Sequence, residues 1–179
     1  MSKWHDINQP AELNLLVGFY DLTGYITFSR NCNAREIFNL LDGYFDLTAG
    51  LIEQANGCFV KAIGDAGLFA FLSEDTDNAV LALRNVQHRG DAYLSKKGYK
   101  GRGIFKMNCG PVACGPLGAP GNKPFDVIGD TVNIAATLEA VGFAMTPQVF
   151  RALKPATRKL FKKHTPPVTY IGLDDKHRT

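Results

Sequence analysis

CFVKAIGDAGLFAFL, residues 58–72, decides the fold. Two apolar runs, CFVKAI and LFAFL, are separated by only a few residues around Ile63-Gly64-Asp65-Ala66. That gap is too short for a helical crossover, so the runs read as a tight antiparallel hairpin. A doubly wound sheet needs a helix between successive strands, and this stretch excludes one.

On the N-terminal side, residues 33–55 change period. Ile37, Phe38, Leu41, Tyr44, Phe45, Leu47, Leu51 and Ile52 recur three and four residues apart, an amphipathic helix closed by Asn56-Gly57. Before it, LNLLVGFY (residues 13–20) is a continuous apolar strand ending at Asp21. On the C-terminal side a second helix spans residues 76–94, capped by Asp75 or Thr76, with Val80, Leu81, Leu83 and Val86 facing inward. GIFKMNCGPVACG (residues 103–115) is the next strand. The order βαββαβ gives an α+β fold, a ferredoxin-like antiparallel sheet with helices packed on one face. Beyond it lie a Gly/Pro-rich loop (residues 115–124), a short strand FDVI, and a helix over residues 131–140. PQVFRALK is a further helical stretch, and VTYIGL a last short strand.

Neither G-x-G-x-x-G nor G-x-x-x-x-G-K-[ST] occurs, so any phosphate is held without a Rossmann or P-loop turn. Two carboxylates stand out instead. Asp21 ends an apolar strand and Asp65 sits in the hairpin turn. If their strands are neighbours, both project from one end of the sheet, where paired carboxylates can hold hard divalent cations against a polyphosphate. Asp is also a common turn former, which leaves a purely structural use open for each.

VGFYDLTGYITFS, VKAIGDAGLFAF, CGPVACGPLG and FDVIGDTVNIAATLE, in this order, resemble the successive motifs of the class III nucleotidyl cyclase catalytic domain, adenylyl and guanylyl cyclases together. The likeness runs over residues 15–141. It implies that Asp21 and Asp65 bind two metal ions, Mg²⁺ or Mn²⁺, with the backbone carbonyl of Leu22 completing the shell. It implies that the amides of Thr23, Gly24 and Tyr25 hold the substrate phosphates, and that Lys61 and Asp126 recognise the purine. Asn133 corresponds to the asparagine that acts in the transition state. A carboxylate can accept from the adenine N6 amine and an ammonium can donate to N1, so the pair favours ATP over GTP. Plainer uses remain open: Lys61 extending to solvent, Asp126 as a loop cap, Asn133 as a helix cap. In such a family the metal carboxylates come from one subunit and the base-binding and Asn residues from the other, which implies a homodimer with its sites at the interface.

Two cations that the resemblance calls for are missing. Thr137 stands where the N-x-A-A/S-R pattern ends in arginine, and Ile171 where a V-K-G-like strand carries a phosphate-binding lysine. Arg158, Lys159, Lys162 and Lys163 lie just before that last strand and could reach the phosphates in their place. The reading is therefore an adenylate cyclase, with a nucleotide-binding or dimerising module of weak or no turnover as the alternative.

Charge and composition set the outer limits. The 179 residues fit one domain of ordinary globular composition, a cyclase catalytic domain over residues 1–179 with a short extension (1–12) and a basic C-terminal segment (151–179). Residues 1–150 hold 12 basic and 15 acidic side chains, and residues 151–179 hold 8 and 2, for a net charge of +3. That total argues against a dedicated nucleic-acid binder. No apolar run approaches the ~18 residues of a membrane span, and the N-terminus has no secretory pattern. Cys32, Cys58, Cys109 and Cys114 form no C-x-x-C pair and read as reduced thiols of a cytoplasmic protein.

Overall fold

A computed structural model describes residues 3–165 and 167–176. The first two residues of the N-terminal extension and the last three of the basic segment lie outside the described residues.

The central hairpin forms as read, with β2 (Cys58–Ile63) and β3 (Ala66–Leu72) antiparallel. β1 (Ala11–Leu22) is longer than its apolar run and pairs antiparallel with β3 and with β4 (Gly103–Pro116). The four strands lie in the order β2-β3-β1-β4. Two 21-residue helices, α2 (Ala34–Gln54) and α3 (Thr76–Lys96), complete the βαββαβ unit. Asn33 starts α2 through a reciprocal cap: its Oδ1 accepts from the Glu36 amide (3.0 Å), and Glu36 Oε2 accepts from the Asn33 amide (2.9 Å). Asn56, at φ 63°, turns the chain out of the helix into β2.

The sheet extends past this unit to eight strands among the described residues. β6 (Phe143–Met145), β8 (Thr169–Gly172) and β7 (Phe161–His164) continue beyond β4, and β5 (Phe125–Ile128) pairs with the far end of β4. The sheet is not wholly antiparallel, because β6 runs parallel to β4. β6 and β7 are too short to carry a legible period, as is α1 (Tyr25–Ser29). α4 (Asp130–Thr137), α5 (Pro147–Ala152) and α6 (Pro155–Arg158) fill the connections.

The period of two along β1 divides the core. Leu16 and Tyr20 join Phe69, Phe71, Phe105 and Met107 beneath α2 and α3. Leu15 and Val17 face the other way, with Leu68, Ala70 and Val112, where the cover is thinner: Trp4, Val127 of β5, and Val132 and Ala135 of the eight-residue α4. No helix among the described residues is long and apolar enough to cross a membrane.

Candidate active site

Alternation also aims the first carboxylate. Tyr20 points into the helix-covered core, so Asp21 emerges on the thinly covered face. β3 pairs with β1 so that Tyr20 lies opposite Gly67, which brings the hairpin tip and Asp65 beside Asp21. Burial, and next the negative charge of Asp21, push the Asp65 carboxyl up to about 6, with backbone amides of Asp65 and Leu22 pulling partly back. Leu22 buries its side chain in the core, and its amide donates to Asp21 Oδ1 (2.8 Å). Two facing carboxylates are the donor set a hard divalent cation suits. Among the described residues no third His, Cys, Asp or Glu joins them, which leaves coordination positions for carbonyl, water or phosphate oxygens.

The turn after β1 is fixed from three sides. Thr23 donates its amide to Arg102 O (3.0 Å) and accepts the Arg102 amide at Oγ1 (2.8 Å). Tyr99 donates its hydroxyl to Thr23 O (2.7 Å). Burial first, then the Asp65 and Asp21 charges, push that phenol up to about 12, so it stays a donor. Gly101 packs so closely that a Cβ there would overlap Thr23 O. Gly24 sits at φ 76°, a conformation that favours glycine, and precedes Tyr25 at the start of α1.

Lys61 and Asp126 meet although β3, β1 and β4 separate their strands from one another in the sheet. The β4–β5 end therefore curls back over the thin face, and Lys61 Nζ donates to Asp126 Oδ2 at 2.5 Å. Lys61 is 46% exposed, so the pair is open to a ligand rather than sealed in the core. Asp126 Oδ1 accepts its neighbour's amide, from Val127 (2.9 Å).

Asn133 is not a cap. Gly129 is the N-cap of α4, and Asn133 is the fourth residue inside the helix with its side chain exposed. α4 is pinned to β4 by Thr131 Oγ1 donating to Pro111 O (2.7 Å) and Asn108 Nδ2 donating to Thr131 O (3.2 Å).

The positions lacking cations are also resolved. Thr137 turns its hydroxyl back onto Asn133 O (2.9 Å), and Ile171 is buried in β8. The C-terminal cations are largely engaged locally. Lys162 Nζ donates to Leu173 O (2.8 Å), and the Arg158 guanidinium donates to Arg151 O and lies 5.6 Å from the Phe150 ring centre. Lys159 and Lys163 are exposed.

Asp21, Thr23, Ile104, Lys106, Thr137 and Glu139 line one open cleft of about 490 Å³, together with residues of the α4–β6 loop. Neither Lys61 nor Asp126 lines it. Lys106 is the residue that reading along the chain overlooks. Its signal was present: it is the sole charge in the 14 residues of β4.

The α+β domain thus carries, on one face of a mixed sheet, paired carboxylates at a strand end, a fixed glycine turn beside them and a Lys–Asp pair. The profile of the adenylate and guanylate cyclase catalytic domain matches residues 9–166, and the chain belongs to that family. It is 27% identical over 147 residues to an adenylate cyclase of Anabaena cylindrica, covering 76% of this chain and 29% of that protein. The chain thus spans under a third of that relative's length. The adenylyl cyclase CyaB from P. aeruginosa superposes with a TM-score of 0.81 at 17% identity, over 94% of this chain and 97% of that one. The guanylyl cyclase Cya2 superposes at 0.74 with 19% identity, over 91% of each. The likeness to class III cyclase catalytic domains drawn from the four motifs holds, and so does the expected fold.

Proposed function

We propose that the chain is an adenylate cyclase catalytic domain that converts ATP to cyclic AMP and pyrophosphate. The observation that carries this reading is the pair of facing carboxylates, Asp21 and Asp65, with the Asp65 proton affinity raised by burial and then by its partner. Asp21, Asp65 and the Leu22 carbonyl would hold two Mg²⁺ or Mn²⁺ ions. Bound there, these ions supply Lewis acidity at the ribose 3′-hydroxyl and neutralise triphosphate charge.

The protein's own groups do the positioning. Thr23, Gly24 and Tyr25 present backbone amides to the phosphates from a turn held by Arg102 and Tyr99. Lys61 donates to adenine N1 and Asp126 accepts from the N6 amine, an arrangement that their preformed contact supports. Asn133 projects from a pinned α4 toward the ribose and the reacting phosphate. The 3′-oxygen attacks the α-phosphorus in line, the new O–P bond closes the cyclic diester, and the α–β bridging bond breaks to release pyrophosphate. In a homodimer each site would take its carboxylates from one protomer and its base-binding pair and Asn133 from the other.

The neutral Thr137 and the buried Ile171 favour a second reading, a nucleotide-binding or dimerising module with little turnover. Incubation with ATP or GTP and Mg²⁺ or Mn²⁺, following cyclic nucleotide and pyrophosphate, separates them. Cyclic AMP formed from ATP is the expected result. Nucleotide binding without product would leave the module, and a preference for GTP would overturn the roles of Lys61 and Asp126.

A further inference from the structure

We infer that Lys106 is a phosphate-binding residue of this domain, the cation that meets the triphosphate in the Asp21 cleft. The inference rests on the reading of that cleft as a nucleoside triphosphate site and adds a residue to it.

Three independent placements converge on this side chain. Lys106 sits two residues along β4 from Ile104, which lies opposite Asp21, so strand alternation puts Asp21 and Lys106 on one face. Both line the same cleft, with Thr137 and Glu139. The Lys106 ammonium donates to Ala136 O (2.5 Å) at the last turn of α4, beside Thr137. Lys106 also lies opposite Ala144 in β6, and Ala144 lies opposite Ile171 in β8. Lys106 and Ile171 therefore share a cross-strand row two strands apart, about 10 Å at ordinary strand spacing. The neutral residues Thr137 and Ile171 thus flank a lysine between them, at the end of α4 and along the row.

Chemistry fits the position. A half-buried ammonium is best placed where oxygen acceptors face it. Ala136 O uses one of its three N–H donors, and the C-terminal end of α4 favours a cation there. The other donors are available to an anionic ligand entering the cleft. Two divalent ions formally balance a triphosphate alone; the Asp21 and Asp65 carboxylates that would hold those ions leave the site negative, and a preorganised ammonium supplies part of the balance.

Lys106→Gln keeps a donor for Ala136 O while removing the charge, and Lys106→Arg keeps the charge. Dissociation constants are measured with Mn²⁺ for a non-cyclisable ATP analogue, α,β-methylene-ATP, and for adenosine, with turnover of ATP in parallel. Lys106→Gln is expected to weaken the triphosphate analogue at least tenfold, leave adenosine unchanged, and lower kcat by about 10²–10³. Lys106→Arg retains most of the affinity. Adding Thr137→Arg to Lys106→Gln returns part of the loss, because it restores a cation one residue beyond Ala136. Lys96→Met, at an exposed lysine of α3 on the helix-covered side of the sheet, serves as control and changes none of these values.

Unchanged analogue affinity in Lys106→Gln overturns the assignment, as does an equal loss for the analogue and adenosine. If the wild-type chain binds the analogue without turning over, the cyclase reading falls while the analogue-to-adenosine ratio still decides Lys106. If the wild-type chain binds neither, both inferences fall together.

Discussion

The two faces of one sheet have divided the work of this protein. Beneath α2 and α3, Tyr20, Tyr44, Phe69, Phe71 and Phe105 are sealed from solvent in a continuous aromatic core. The opposite face has a smaller core of Leu15, Val17, Leu68 and Ala70 under an eight-residue helix, and polar groups surround it. Asp21, Lys106 and Asn133 all belong to that side. Lys61 does too, since it lies opposite Leu68. β1 serves both faces within two residues: Tyr20 is core and Asp21 is site. A strand's period of two makes such a division inexpensive, because stability and chemistry fall on alternate positions and change independently.

The comparison predicts opposite responses to substitution. The largest effect is expected from Asp21→Asn, which removes a proposed cation ligand. Mn²⁺-dependent cyclic nucleotide formation should fall at least ~10³-fold while the thermal midpoint stays the same or rises. A concurrent loss of the folded state would break the division of labour. On the other face, Phe71→Ala opens a cavity in the aromatic core. Denaturant unfolding should report a cost of about 3–5 kcal/mol, with activity per folded molecule largely retained.

Asp126→Ala tests the proposed base-binding pair and should sit between these in specificity rather than rate. The ratio of kcat/KM for ATP over GTP is expected to drop by about 10–100-fold, the usual scale for losing one polar contact to a base. An unchanged ratio would remove Asp126 from base recognition.

The smallest effect concerns pH. Asp65 has a folded-state pKa of about 6 against an ordinary 3.8, so between those values the folded chain binds more protons than the unfolded one. Metal-free stability should therefore fall as pH rises from about 4 toward 6 and level off above. Calorimetry without divalent ions should show a midpoint some degrees higher near pH 5 than near pH 7. Asp65→Asn should flatten that slope, and added Mn²⁺ should reverse it above pH 6 by binding the ionised pair. A pH slope that survives Asp65→Asn would assign it to another group.

Much of this was readable along the chain. The hairpin at residues 58–72, the spacing of Ile37 through Ile52 and the strand ending at Asp21 predict the βαββαβ unit because each is a local pattern. Asp21 and Asp65 could be paired from the sequence, since adjacency of their strands follows from that topology. Strands β6 and β7 were not legible. With three and four residues, their assignment rests on hydrogen bonds to β4 and β8 rather than on any period of their own. The basic segment met the same limit: charge is visible in sequence, but the engagement of Lys162 by Leu173 O and of Arg158 by Arg151 O is not.

By itself the sequence determined the order of elements, the two carboxylates and the departures at Thr137 and Ile171, all of which are properties of residue type and spacing. Only the tertiary structure decided that Lys61 meets Asp126 across three intervening strands, and that Asn133 stands inside α4 rather than capping it. It alone decided that Lys106 lies in one cleft with Asp21 and Thr137. These are contacts between residues 30 to 85 positions apart, set by strand register and by the curl of β4 and β5. Register is fixed by burying one face of the whole sheet, a cooperative condition that no single stretch of chain contains.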